Sequence, residues 1–179
     1  DRLAHRGARN IEAARKRGED PDALPHTYAR LINAAIKDKP QEMTIGIHLC
    51  RGNFRSAWVA EGGYGPVVEA MFSAEVDGWF MEFDSARAGG FEPLAALRDA
   101  GPAAKKLVLG LVTTKVGELE SKDALKRRID EASRFVPPEQ LCLSPQCGFS
   151  STHHGNALSH DDQWRKLERV VEVADEVWG

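Results

Sequence analysis

Four short runs in this chain are apolar almost without interruption, and each is followed by a longer stretch of helical character. The runs cover residues 43–49, 78–83, 106–113 and 140–144. Their length and nearly continuous apolar character predict strands of a parallel sheet; the first alternates over Ile45–Leu49, and the second is apolar on both faces, as a fully buried strand should be. Between and after them, helices are predicted over 67–74, 92–100, 120–135 and 161–178. In the third of these Leu125, Ile129 and Ala132 share a face. In the last, Trp164, Leu167, Val171, Ala174 and Val177 or Trp178 form an apolar stripe, so both tryptophans are expected in the core. Ahead of the first strand, Tyr28, Leu31, Ile32, Ala35 and Ile36 repeat with a helical period over 25–37, and residues 1–18, rich in Arg and Ala, also read as helix. Pro40, Gly89-Gly90 and Pro137-Pro138 punctuate the pattern.

Strand followed by helix, four times over, predicts an α/β fold with parallel strands and helices outside them. Four strands are too few to close a barrel, which needs eight. A four-stranded parallel sheet standing alone leaves two apolar edges unpaired. Two architectures satisfy the pattern: a small open α/β sheet, or half of a (β/α)8 barrel.

The 179 residues read as a single region, with 42% hydrophobic and 28% charged residues, a globular balance. A net charge of -3 with mixed signs argues against a nucleic-acid partner. No apolar run reaches the ~18 residues of a membrane span, and the first residues lack a secretory pattern. The three cysteines, Cys50, Cys142 and Cys147, read as thiols in a reducing compartment, and the expected location is cytoplasmic. The chain starts at Asp1 without an initiator Met, so a longer parent protein is expected.

Chemistry collects at the carboxyl ends of the strands in α/β folds. His48 and Cys50 lie two apart at the end of the first strand, a spacing that puts both on one face. Glu82 ends the second strand, and Cys147 follows the fourth. Imidazole, two thiols and a carboxylate are a ligand set that selects zinc. Because the ligands come from three strands and include a carboxylate, Glu82 is expected to be exchangeable for a substrate. A zinc ion with two thiolates and a carboxylate is a poor generator of hydroxide but well suited to ionise a substrate thiol. The expected chemistry is attack by sulfur on carbon.

Ile47-His48-Leu49-Cys50, Met81-Glu82-Phe83 and Ser144-Pro145-Gln146-Cys147-Gly148-Phe149 resemble, in order, the zinc motifs of cobalamin-independent methionine synthases. The similarity runs from about Met43 to the C-terminus. It implies the C-terminal half of a (β/α)8 barrel that transfers a methyl group from a folate-type donor to the thiol of homocysteine. It also implies Zn2+ on His48, Cys50, Glu82 and Cys147, and a missing barrel half supplied by the same or another chain. After the third strand the family carries a catalytic His. Alignment of residues 110–116 places Lys115 there, which makes Lys115 a second catalytic candidate beside Glu82. The family's substrate-holding Asp-Glu-Pro stretch has no counterpart here, and the loop from Ser151 to Asn156 differs from the family's basic loop. The chain resembles a shorter branch of the family.

Other readings stand beside these. Another thiol or donor fits a related zinc alkyltransferase, and a non-catalytic half-barrel holding structural zinc fits the same ligands. Glu82 could pair with Arg51 or Arg87. Cys142 reads as core, His153 and His154 as loop hydrogen-bonders, and Lys115 equally as a solvated charge. Asn53, Asp84, Ser85 and Asn156 are expected to line the site.

Overall fold

The computed structural model describes residues 11–57, 62–99, 105–150 and 152–179. Residues 11–16 are helical; the rest of the expected first helix, before residue 11, lies outside the described residues. Helix α1 (Leu24–Ile36) starts on Pro25, whose fixed φ and missing N–H suit a first turn. Strand β1 (Gly46–Leu49) leads through a loop and a 3-10 turn into helix α2 (Val68–Phe72). Strand β2 (Gly78–Glu82), helix α3 (Ala95–Asp99), strand β3 (Lys106–Val112) and helix α4 (Lys122–Ser133) follow. Strand β4 (Leu141–Pro145) and helix α5 (His160–Trp178) complete the order.

The strands lie in the order β1-β2-β3-β4, all parallel. Sequential order with crossovers of one hand puts the connecting helices on one face of the sheet. That is the arrangement of half a (β/α)8 barrel rather than of a doubly wound sheet, which is covered on both faces.

Register separates the two faces. Trp79, Leu107 and Leu141 are partners, as are Leu49, Met81, Leu109 and Leu143. These rows point outward and pack with Phe72, Leu94, Leu97, Leu125, Ile129 and Val173 into one core. The other rows, His48–Phe80–Val108–Cys142 and Glu82–Gly110–Ser144, point to the barrel interior. Burial on both faces, expected of β2, holds except at one inward position: Trp79, Met81 and Glu82 are buried, whereas Phe80 is 42% exposed. Cys142 likewise stands half-buried on the inner row instead of in the core beneath the helices.

Strand β1 is shorter than expected. The Ile45 N–H turns to the Asp77 carboxylate (2.7 Å) rather than to a neighbouring strand. Strand β3 stops at Val112, and the next N–H, of Thr113, goes to Glu120 Oε1 (2.8 Å).

The apolar stripes of α1 and α5 need correction. Tyr28 and Leu31 are exposed, and α1 meets the core through Ile32 and Ile36. On α5, Trp164 and Val171 are exposed at 61% and 58%. The helix faces inward through Val170, Val173 and Lys166, and only Trp178 of the two expected tryptophans packs against the core. Lys166 lies about 200° around the helix from Trp164. Its stem fills the interface while its Nζ donates to Glu120 Oε2 (2.9 Å) and to the Glu118 carbonyl. A charged side chain in the inward position hid the true face from a hydrophobic count.

Candidate metal centre

The carboxyl ends of β1, β2 and β4 bring one imidazole, one carboxylate and two thiols together. One ligand atom from each of His48, Cys50, Glu82 and Cys147 lies within 4.8 Å of all the others. The two sulfurs are 3.2 Å apart. His48 Nε2 is 3.6 Å from the Cys147 sulfur and 3.3 Å from Glu82 Oε1. The Cys147 thiol donates to Glu82 Oε1 at 2.7 Å.

Local structure explains each position. His48 faces inward because it shares a row with Phe80. Cys50 lies just beyond the end of β1, where the Gly52 N–H points at its sulfur (3.3 Å). Glu82 ends β2 and is completely buried. The Tyr64 hydroxyl accepts from the Glu82 N–H (3.0 Å) and donates to the Glu82 carbonyl (3.3 Å), so it holds this last residue of the strand at both backbone groups. Glu82 Oε2 accepts from the Arg51 N–H (3.1 Å). The β3–β4 register slips between Gly110 and Val112, and the Gln146 N–H bonds the Val112 carbonyl (3.0 Å). This irregularity carries Cys147 over the sheet end.

The cluster fits a metal cation. Burial pushes the Cys147 thiol pKa up, and the adjacent Glu82 and Cys50 push it further. Without a cation the thiol keeps its proton and spends it on Glu82. Four lone-pair donors packed this tightly are short of positive charge, and borderline-soft donors of this kind favour zinc.

The remaining candidates are placed less uniformly. Lys115 is buried, so it is not a solvated charge, and it lies outside the cluster: its Nζ donates to Gln146 Oε1 at 2.9 Å. Asn53 ties the site together by donating to Thr114 Oγ1 (3.3 Å) and to the Gly148 carbonyl (3.2 Å). Asn156 donates to the Thr114 carbonyl (2.8 Å). Asp84 is engaged by Arg87 (2.9 Å), and with Ser85 it lines a separate recess beside Leu111 and Arg128 rather than the metal cluster. The partners considered for Glu82 resolve accordingly: Arg51 reaches it through backbone N–H, and Arg87 serves Asp84. His153 and His154 stack on one another (3.8 Å between centroids), and His154 meets Phe54 edge-on. Among the described residues, these ring contacts rather than the expected hydrogen bonds are what the two histidines make. Tyr64 was not singled out by sequence, where it sits in a glycine-rich stretch with no chemical signature.

A family model described as "Cobalamin-independent synthase, Catalytic domain" matches residues 17–176. Two curated proteins of Bacillus subtilis (strain 168), the uncharacterized YxjG and YxjH, are 51% and 49% identical over 98% and 93% of this chain. The chain spans less than half the length of these relatives, 45% and 44%. A Listeria monocytogenes protein assigned as a vitamin-B12-independent methionine synthase superposes with a TM-score of 0.69 at 42% identity, covering 90% of this chain and 43% of its own. A B12-independent methionine synthase from Shewanella sp. W3-18-1, solved with selenomethionine, shares the fold at 19% identity, with a TM-score of 0.63 over 95% of this chain and 51% of its own.

Proposed function

The chain belongs to the family of cobalamin-independent synthase catalytic domains, and from that premise we propose that it is the metal-holding, C-terminal half of a barrel that methylates a thiol. The observation that carries this reading is the convergence of His48, Cys50, Glu82 and Cys147 from three strand ends. The metal we propose is zinc, and the chemistry zinc supplies when bound is ionisation of a substrate thiol at neutral pH.

In this reading His48, Cys50 and Cys147 are the permanent ligands and Glu82 the exchangeable one. Exchange suits Glu82 because its two oxygens have separate duties. Oε1 faces the cysteine and histidine, while Oε2 stays on the Arg51 N–H. Freeing Oε1 leaves the buried carboxylate with a hydrogen bond. The acceptor is homocysteine or a thiol like it, and the donor a methylated folate. A carbon–sulfur bond forms as the methyl–nitrogen bond breaks, and the released electron pair and a proton go to the donor nitrogen. The other barrel half, from the same or another chain, completes the substrate walls. A cytoplasmic location accords with free thiols, and no helix among the described residues is long and apolar enough to cross a membrane.

The test is methyl transfer by the full-length, zinc-loaded protein from methyltetrahydrofolate to homocysteine, with methionine as the product. The reading predicts turnover in the wild type and its loss in Cys147→Ala. A zinc-loaded protein that methylates no thiol contradicts it.

A further inference from the structure

Among the described residues, a buried cation stands next to Gln146, the neighbour of Cys147, with no anion to balance it. Lys115 is only 6% exposed, and the one side-chain partner of its Nζ is neutral, Gln146 Oε1 at 2.9 Å. No carboxylate among the described residues pairs with it. The amide orientation of Gln146 follows from this contact, because an ammonium group can only donate and so requires the oxygen. That leaves Gln146 Nε2 facing elsewhere, buried and without a hydrogen-bond partner among the described residues. An unpaired ammonium and an orphaned amide N–H next to each other are both donors, and a buried pair of donors calls for an acceptor with negative charge. Gln146 also lines a recess of about 340 Å³ with Gly46, His48, Phe80, Cys147 and Gly148. The unsatisfied donor therefore belongs to a residue that borders the space where substrate would meet the metal ligands.

We propose that Lys115 and Gln146 form an oxyanion-binding subsite that holds a carboxylate of the substrate entering this recess. The inference rests on the proposed methyl transfer for the identity of the ligands, and it gives Lys115 a binding role. Two sources offer a carboxylate, the amino acid portion of the thiol acceptor and the glutamyl portion of the donor. Either accepts hydrogen bonds from both Lys115 and Gln146 and cancels the buried charge.

Calorimetric titration of the full-length, zinc-loaded protein separates the sources. One arm compares homocysteine with 3-aminopropane-1-thiol, which lacks only the carboxylate. The other compares methyltetrahydrofolate with its glutamyl diamide, in which neutral amides replace only the two carboxylates. The wild type is expected to prefer the carboxylate-bearing form in one arm by about ten- to a hundredfold, the range for hydrogen bonds to a charged group. Lys115→Met erases that preference without changing zinc content or the binding of the carboxylate-free form. Gln146→Glu, which pairs Lys115 internally and guards against misfolding of the first variant, erases it too. A wild type without preference in either arm, or variants that keep it, overturns the subsite. Because the readout is binding, a protein that fails to transfer methyl groups yet shows the preference contradicts the reaction and leaves the subsite standing.

Discussion

Gly110 occupies the inner row between Glu82 and Ser144, where a side chain would be crowded by backbone. A Cβ at this position would lie 3.0 Å from the Met81 carbonyl oxygen and 3.4 Å from Glu82 Cα. Gly110→Ala is expected to cost about 1–3 kcal/mol, the usual range for overpacking, and to weaken metal binding by displacing Glu82. Chemical denaturation and metal titration of the variant check both effects. Tyr64→Phe removes the hydroxyl that holds both backbone groups of Glu82. Its expected effect is a loss of roughly 10–100-fold in zinc affinity, as for other outer-shell supports, read by competition with a chelator. At this scale the sequence showed the members of the cluster more clearly than their supports. His48 and Cys50 were legible because alternate strand residues share a face, and Glu82 because it closes an apolar run. Tyr64 and the Lys115–Gln146 contact were not, because the first depends on a loop folding back over β2 and the second on a register slip between β3 and β4.

Helix α5 is set at its start by side chains that can be tested singly. Ser159 accepts from the Asp162 N–H (3.1 Å), and the Asp162 carboxylate accepts from the Ser159 N–H (2.9 Å), a capping box. Ser159→Ala is expected to cost about 1 kcal/mol, measured as a lowered denaturation midpoint. The hydrogen bonds from the Ser159 backbone and hydroxyl, then that from Arg165, hold the Asp162 carboxyl at about 2, below its usual value. At the far end, Lys126 and then Lys122 hold Glu176 at about 2 as well, which ties α5 to α4. Both carboxyls are depressed in the folded state. Their contribution is therefore complete above the unfolded values near pH 4 and lost as pH falls toward 2. Replacing Asp162 with Asn and Glu176 with Gln should flatten the fall in stability between pH 4 and 2, read from denaturation midpoints across that range. The existence and order of all four strands and of helices α1 to α5 were legible from the apolar runs and their breakers. The orientation of α5 was not. Its most hydrophobic stripe, through Trp164 and Val171, faces outward, and the inward face is carried by two valines, Trp178 and the stem of Lys166.

The whole molecule presents an inner sheet face and two sheet edges that a closed barrel would cover. Phe80 and His48 stand on that inner face with substantial exposure. Beyond β1, Tyr28, Ile32, Ile47, Leu49 and Trp79 line an apolar groove of about 340 Å³ at the edge of the sheet. These 179 residues on their own are expected to associate with increasing concentration and to bind a hydrophobic dye. Adding the other barrel half should suppress both, as sedimentation and fluorescence would show. A chain that stays monomeric at high concentration without binding dye contradicts that expectation. The parallel α/β architecture was legible because βα repetition leaves few alternatives. Choosing the half-barrel over an open sheet needed the register, which puts His48, Glu82 and Phe80 together on the inner face.

The proposal turns on whether His48, Cys50, Glu82 and Cys147 form a zinc site that accepts a substrate sulfur, and X-ray absorption at the zinc edge of the full-length protein addresses this directly. The account predicts one nitrogen, one oxygen and two sulfurs around the metal, with a third sulfur replacing the oxygen when homocysteine is added. Zinc that keeps the same ligands in the presence of the thiol, or a protein that binds no zinc, would contradict it.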